Sequence, residues 1–264
     1  MRVIATTTQS KAASSLTEEF CDFLGETGIK FVPRKGKSLE KLKREHNADG
    51  VIVWKDTGPV LYIDENVEFF YHPSMAKNRI SNYRKFGTFD PLIKAFDLRE
   101  DDEVLDCTLG LGSDAVVASY FAPRGRVVGL EYSMVAAALV KWGMKMYKSP
   151  MQWLNQAIKR IEVLNEDYRV YLKKLADNSF DIVYFDPMFR KPVLRSQPIS
   201  PLRFLANPEP VDRESIKEAV RVARKRVVMK EIFSSGEFAR LGFEKICGNP
   251  NNKIAYGVIE KKGI

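Results

Sequence analysis

Four acids at or just past the ends of apolar runs, two glycines in one tight turn and the Asp-Pro step that follows the run SFDIVYF are the residues of this chain whose types and spacing suit chemistry on a small polar ligand. Asp106 closes the run EVLDC and leads into TLGLGSDA. There Gly110 and Gly112 let the backbone turn with positive φ and pass close to a ligand, while the helix that opens at Gly112 aims its N-terminal amides at the same spot. Read literally, Gly110-Leu-Gly112-Ser-Asp-Ala115 satisfies the G-x-G-x-x-A form of a dinucleotide fingerprint, which would suit an NAD-linked oxidoreductase. The acids discriminate between cofactors. A carboxylate at Asp106 would repel a pyrophosphate but attract the ammonium of a cofactor that carries an amino acid. Glu131 closes the next run, RVVGLE, at about 20 residues from the glycines, the spacing from which a carboxylate accepts both hydrogen bonds of a ribose diol. Asp167, shortly after the run IEVL, is placed to accept from an adenine amino group. Thr108 in the turn and Asp114 in the first helical turn complete the cofactor candidates. Acid, glycines, acid, acid in this order suits S-adenosylmethionine (SAM) better than NAD. Taken singly, Asp106 or Asp167 also reads as a helix cap and Glu131 as a solvated residue. The fourth acid, Asp186, ends the buried-looking run SFDIVYFD and is followed by Pro187, which cannot extend a ladder, so something polar is expected to be held there.

Such residues need a scaffold that gathers strand ends. EVLDC, RVVGLE, IEVL, FDIVYFD, KRVVMKE, FEKICG and KIAYGVIE are seven strand-like runs, the first five separated by helix-like segments. Alternating βα units predict a mostly parallel sheet covered on both faces. GNPNN, between the last two runs, is too short for a crossover helix, so those two are expected to pair antiparallel. The expected fold class is α/β and Rossmann-like, with a seven-stranded, mostly parallel sheet ending in an antiparallel hairpin. Ligands of such sheets sit beyond the carboxyl ends of the strands. Residues 1–66 alternate MRVIATT, SSLTEEFCDFLGETG, IKFVPR, SLEKLKREHN, GVIVWK and PVLYID, the pattern of a small N-terminal α/β domain. Residues 67–100 read as a connector dense in aromatic and basic residues, and residues 101–264 as the ligand-binding domain.

A chain of 264 residues with 45% hydrophobic and 29% charged residues is expected to fold. No run approaches about 18 apolar residues, so no membrane span is expected. MRVIATTTQSK is too poor in apolar residues for a secretory signal, which leaves a cytoplasmic location as the expectation. Cys21, Cys107 and Cys247 lack the spacing of a disulfide framework or a metal site, and no metal is expected. The net charge of +8 lies wholly after residue 66: residues 1–66 hold ten Lys/Arg and ten Asp/Glu, residues 67–264 hold 32 and 24. An unevenly basic surface favours a polyanion such as nucleic acid, although charge alone is also met in proteins that bind none.

With its strand pattern and its acids, DCTLGLG resembles the class I SAM-dependent methyltransferases, whose sheet has six parallel strands and a last strand inserted antiparallel. Thr108 stands where that family often has glycine. Asp186-Pro187-Met188-Phe189 resembles the (D/N)-P-P-(Y/F) motif of methyltransferases that modify exocyclic or side-chain amide nitrogen, with Met188 in place of the second proline. An aryl amine is a poor nucleophile because its lone pair is delocalised, so it needs positioning more than a strong base. The resemblance implies that Asp186 and the Pro187 carbonyl accept the amino hydrogens and steer the lone pair toward the methyl, with Asp186 also stabilising charge that develops on nitrogen. Phe189 would stack on the target base, a contact worth roughly 1–3 kcal/mol. Read as a bare dipeptide, Asp-Pro is a turn starter.

More narrowly, HPSMAKNRISNYRKFG, DCTLGLGSDA, VYFDPMF and ARKRVVMK resemble the ribosomal RNA guanine-N2 methyltransferase family that acts on small-subunit rRNA, most clearly between residues 83 and 230. The resemblance implies methyl transfer from SAM to N2 of a guanine, with small-subunit rRNA or a ribosomal particle as partner. Arg190, Lys191, Arg195 and Arg203 beside the Asp-Pro step, and Arg84 and Lys85 in the connector, are the residues expected to meet RNA phosphates. For the connector aromatics, packing against the sheet edge is an equal reading. Two other functions stay open at this point: the same chemistry on an amine of DNA, protein or a small molecule, and a noncatalytic RNA-binding protein that retains a SAM pocket.

Overall fold

The computed structural model describes residues 1–8, 16–64, 67–187, 205, 209–248 and 253–261. Its first sheet grows from local signals. β1 (Val3–Thr7) pairs parallel with β2 (Lys30–Phe31) and β3 (Gly50–Lys55). Between them run α1 (Glu18–Thr27) and α2 (Leu39–His46). The Thr17 and Ser38 side chains cap the starts of these helices by accepting the N–H of Phe20 and Lys41, and Gly28 and Asn47 end them in the left-handed conformation. From β3 the chain meanders antiparallel through β4 (Gly58–Asp64) and β5 (Val67–Phe69), giving the order β2-β1-β3-β4-β5. Val67–Phe69, expected within the connector, is thus the edge strand of this sheet. The rest of the connector forms α3 (Ser74–Phe86), closed by Gly87, and α4 (Pro91–Phe96), opened by Asp90.

The second sheet contains β6 (Val104–Asp106), β7 (Val127–Leu130), β8 (Ile161–Leu164), β9 (Phe180–Phe185), β10 (Ala223–Ile232), β11 (Lys245–Cys247) and β12 (Ile254–Glu260). Its helices are α5 (Ser113–Phe121), α6 (Met134–Met146), α7 (Gln152–Lys159), α8 (Tyr168–Lys174), α9 (Arg213–Val222) and α10 (Glu237–Leu241). The order is β11-β12-β10-β9-β6-β7-β8. β12 runs antiparallel to both β10 and β11, so six strands are parallel and the last in sequence is inserted between the fifth and the sixth. The expected α/β sheet and its antiparallel hairpin are both present. Both faces are buried: Val104, Ile182, Tyr184 and Val228 enter one apolar core, while Leu105, Val183, Phe185, Val227 and Met229 enter the other. This is why the runs read as continuously apolar rather than alternating.

The two sheets meet across α6. Trp142 on α6 sets its ring 5.7 Å from that of Trp54 on β3, and its Nε1 donates to Glu26 Oε2 at 3.1 Å. One turn's face of α6 must be bare for this packing, because a Cβ on Gly143 would lie 2.2 Å from Cβ of Tyr71. Among the described residues no helix is long and apolar enough to cross a membrane.

Candidate active site

Strand register fixes the site before any side chain is considered. Asp106 on β6 is the partner of Tyr184 on β9, and Met229 on β10 is the partner of Phe185. Asp106, Asp186 and Lys230 therefore stand together at the carboxyl ends of three adjacent parallel strands. The turn after β6 is built on its own acid: Asp106 Oδ1 accepts Thr108 N–H at 3.0 Å. Gly110 and Gly112 adopt φ of 52° and 71°, and Gly112 opens α5. The neighbouring strand also makes room for the turn, since a Cβ on Gly129 would lie 2.4 Å from Leu109 Cδ1. Glu131 then ties turn to strand end, accepting Gly110 N–H at 3.2 Å and Ser133 N–H at 2.9 Å. Thr108 Oγ1 accepts the backbone N–H of Asp186, which joins the turn to the Asp-Pro step.

Burial sets the electrostatics. Asp106 is 2% exposed, and desolvation pushes its carboxyl well above the usual range, against the pull of the Thr108 N–H. Burial likewise raises Glu131 to about 7, opposed by the Ser133 and Gly110 amides. A cation or hydroxyl donor brought to either acid would offset part of that desolvation. Beneath them lies an ion network. Lys230 Nζ is 2.8 Å from Asp186 Oδ2 and 3.1 Å from Asp114 Oδ2. Asp114 also accepts from Arg79 and, at 2.8 Å, from the Tyr184 hydroxyl. Burial alone would raise the Asp114 carboxyl, but Lys230 and Arg79 outweigh it and hold the group well below the usual range. For Asp186 burial wins over the Lys230 ammonium, and its carboxyl is raised.

This arrangement, with a Gly turn, a ribose-spaced acid and an Asp-Pro step at the ends of a sheet ordered β11-β12-β10-β9-β6-β7-β8, is accompanied by a match of residues 60–237 to a family model for SAM-dependent methyltransferases. The chain belongs to that family. This methyltransferase is 39% identical over 236 residues to an uncharacterised Bacillus subtilis protein, YpiP, the match covering 89% of this chain and 91% of the relative. It is 31% identical over 151 residues to a ribosomal RNA small subunit methyltransferase J from Hydrogenovibrio crunogenus, a match covering 54% of this chain and 53% of that relative. The crystal structure of a SAM-dependent methyltransferase from Neisseria gonorrhoeae superposes with a TM-score of 0.66 at 18% identity, covering 98% of this chain and 96% of that one, a likeness of fold.

The cofactor of this methyltransferase is S-adenosylmethionine, and the residues present fit it. Buried Asp106 suits an ammonium, Glu131 suits a diol, and the turn is kept free of side chains where Gly112 would otherwise carry a Cβ 2.4 Å from Met144 Cε. The structure brings Asp106, Thr108, Gly110, Gly112, Glu131, Asp186 and Pro187 to one strand-end site. Asp114 lies below it, engaged by Arg79, Lys230 and Tyr184. Asp167 caps α8 by accepting Arg169 N–H and also pairs with the Arg169 guanidinium, which lies 6.0 Å from the ring of Tyr132 next to Glu131. Arg84 is at the other end of α3, its guanidinium over the Trp153 ring and donating to the Tyr120 hydroxyl, and Lys85 beside it sets its ammonium 5.0 Å from the centre of the largely exposed Phe86 ring. Phe189, Arg190, Lys191, Arg195 and Arg203 fall outside the described residues.

Two residues of the site are visible in the sequence without their roles. Lys230, after the fifth apolar run, reads equally as a residue approaching the substrate and as a surface terminus, and the structure pairs it with Asp114 and Asp186. Arg79 reads as one of the connector residues suited to phosphate contact, whereas its pairing with Asp90 and Asp114 joins positions 11 and 35 residues apart and has no sequence signal.

Proposed function

We propose that this methyltransferase transfers a methyl group from SAM to an exocyclic amine of a nucleic-acid base, namely N2 of a guanine in small-subunit ribosomal RNA. The observation that carries this reading is Asp186: a carboxylate, 28% exposed, at the end of β9, hydrogen-bonded through its own N–H to the glycine turn and therefore facing the cofactor side of the sheet. Bound SAM supplies a methyl group made electrophilic by the sulfonium. The chain's residues then have to hold a weak nucleophile in line. Asp186 accepts one amino hydrogen and the Pro187 carbonyl the other, which directs the lone pair away from both acceptors and toward the methyl. A ring nitrogen or a hydroxyl offers only one hydrogen and would leave one acceptor unpaired.

RNA as substrate is supported by the outer surface of α3. Between Glu68 and Asp90 the sequence contains no acid but has Lys77, Arg79, Arg84 and Lys85. Arg79 is drawn inward, while Met75, Lys85, Phe86 and Phe89 stay exposed. Midway along α3 Arg79 reaches Asp114, and near the helix end Tyr83 packs on Phe121, so this surface leads away from the site along α5. Exposed aromatic and basic groups in series suit stacking and phosphate contact along a strand whose target base is turned into the pocket. The similarity to a ribosomal RNA small subunit methyltransferase J points to the same class of substrate.

The test compares modified nucleosides by mass spectrometry in small-subunit rRNA from cells with and without the gene. The expected result is the loss of N2-methylguanosine at one site, restored by the intact gene. Loss of a different modified nucleoside would replace the guanine assignment, and an unchanged rRNA would overturn the reading.

A further inference from the structure

Five charged side chains of alternating sign run from the connector to the end of β9: Asp90, Arg79, Asp114, Lys230 and Asp186. Arg79 donates to both oxygens of Asp90, at 2.7 and 2.8 Å, and to Asp114 Oδ1. Lys230 spans Asp114 Oδ2 at 3.1 Å and Asp186 Oδ2 at 2.8 Å. The five come from five places in the chain: the N-cap of α4, α3, α5, β10 and the turn after β9. Side-chain exposure is 9% at Asp90 and Asp114, 17% at Lys230, 22% at Arg79 and 28% at Asp186, so Asp186 is the most open member of the row. Stability is a poor reason for such a row, since apolar packing of the same volume generally does as well. A fixed geometry at its open end is a better one.

We propose that Lys230 is a positioning residue for methyl transfer, holding Asp186 Oδ2 on the Asp114 side so that Oδ1 is the oxygen presented to the substrate amine. The inference rests on the role given to Asp186 above. Among the described residues four groups face Asp186: Asp106 from β6, Asp114 from α5, Tyr184 from β9 and Lys230 from β10. Lys230 is the one of the four that favours the anion. Its own charge is secure, because the burial that would lower its pKa is outweighed by Asp114 and Asp186. Lys230 therefore stays an ammonium and takes no proton. During transfer the N–C bond forms as the C–S bond breaks, with that electron pair passing to sulfur. The surplus proton on nitrogen leaves through Asp186 Oδ1 to solvent at the open side.

The test follows the Asp186 carboxyl by carbon-13 NMR titration of the aspartate-labelled full chain, without cofactor or RNA, with the signal assigned by Asp186→Asn. Lys230→Met is expected to raise the Asp186 midpoint by about 1–3 pH units and Lys230→Arg to keep it near that of the parent. Equal midpoints in Lys230→Met and the parent overturn the proposal. Should Lys230→Met fail to fold, Asp114→Asn carries the test: losing the competing carboxylate lowers the midpoint, and an unchanged midpoint is again fatal. Transfer assays add a second readout. The acid limb of the kcat profile is expected to move up in Lys230→Met with the KM for SAM little changed, whereas an equal loss at every pH would mark a merely structural lysine. A parent chain that titrates as described but methylates no RNA would sink the functional reading and leave this one standing.

Discussion

Thr108 Oγ1 accepts the backbone N–H of Asp186, so the turn after the first strand of the large sheet and the turn after the fourth are held as one piece. In the proposed function the bond joins the turn assigned to the cofactor to the step assigned to the nucleophile. Thr108→Val keeps the shape and removes the acceptor, leaving the Asp186 amide unpaired at a cost of about 1–3 kcal/mol. The displaced carboxylate should lower kcat roughly tenfold to a hundredfold, because in-line geometry tolerates little error. Steady-state kinetics with RNA substrate checks this, and a kcat equal to the parent's would show that the two turns hold their places without the bond.

Asp186 itself should be worth more. Asp186→Ala removes the acceptor and leaves Lys230 with Asp114 as its carboxylate partner, a pairing that should preserve folding. Methyl transfer is expected to fall by at least about a hundredfold, the scale of one lost transition-state partner. Calorimetry should find SAM affinity within a few-fold of the parent. Full turnover in this variant would remove Asp186 from the chemistry.

If Glu131 meets the ribose diol, as proposed, cofactor binding is expected to depend on pH near neutrality. Its carboxyl stands at about 7 in the fold against 4.5 in the free residue. Between these values the folded chain carries a proton that the unfolded chain does not, so this group's contribution to stability falls as pH rises through the window and is constant above it. A ribose diol donates to the anion, so SAM binding favours the ionised form. Affinity is expected to weaken by up to about tenfold per pH unit below 7 and to level off above it. Calorimetry at several pH values reads this directly, with Glu131→Gln flattening the curve. A parent affinity constant from pH 6 to 8 would mean that Glu131 does not meet the diol.

Much of this site is legible in the sequence because strand ends are. An apolar run of fixed length followed by an acid states both the strand and the place where its polar end emerges, which is how Asp106, Glu131 and Asp186 can be put on one edge of a sheet without coordinates. What pairs with those acids is another matter. Lys230 and Arg79 reach Asp114 across 116 and 35 positions, and only the fold decides which of many basic residues is drawn inward. The same limit applies to Val67–Phe69, where a short β-rich segment has no local signal for which sheet it joins. Asp167 shows a second kind of ambiguity, since an acid just after a strand serves a ligand or a helix N-terminus with the same residue type, and here it caps α8.

The α3 surface gives the last prediction. The Tyr83 ring is packed against Phe89, Tyr120 and Phe121 and so is not free to stack on a base, whereas Phe86 is 65% exposed one turn further on with Lys85 beside it. Phe86→Ala should therefore weaken single-stranded RNA binding by about 1–3 kcal/mol without touching cofactor affinity. Lys85→Ala should weaken it and also reduce the slope of log affinity against log salt by about one, as expected for one phosphate contact. The two effects differ in kind: stacking is lost equally at all salt concentrations, the phosphate contact mainly at low salt. Binding titrations over a range of salt separate them. If both variants bind RNA like the parent at every salt concentration, the strand does not follow α3 and must leave the pocket by another face.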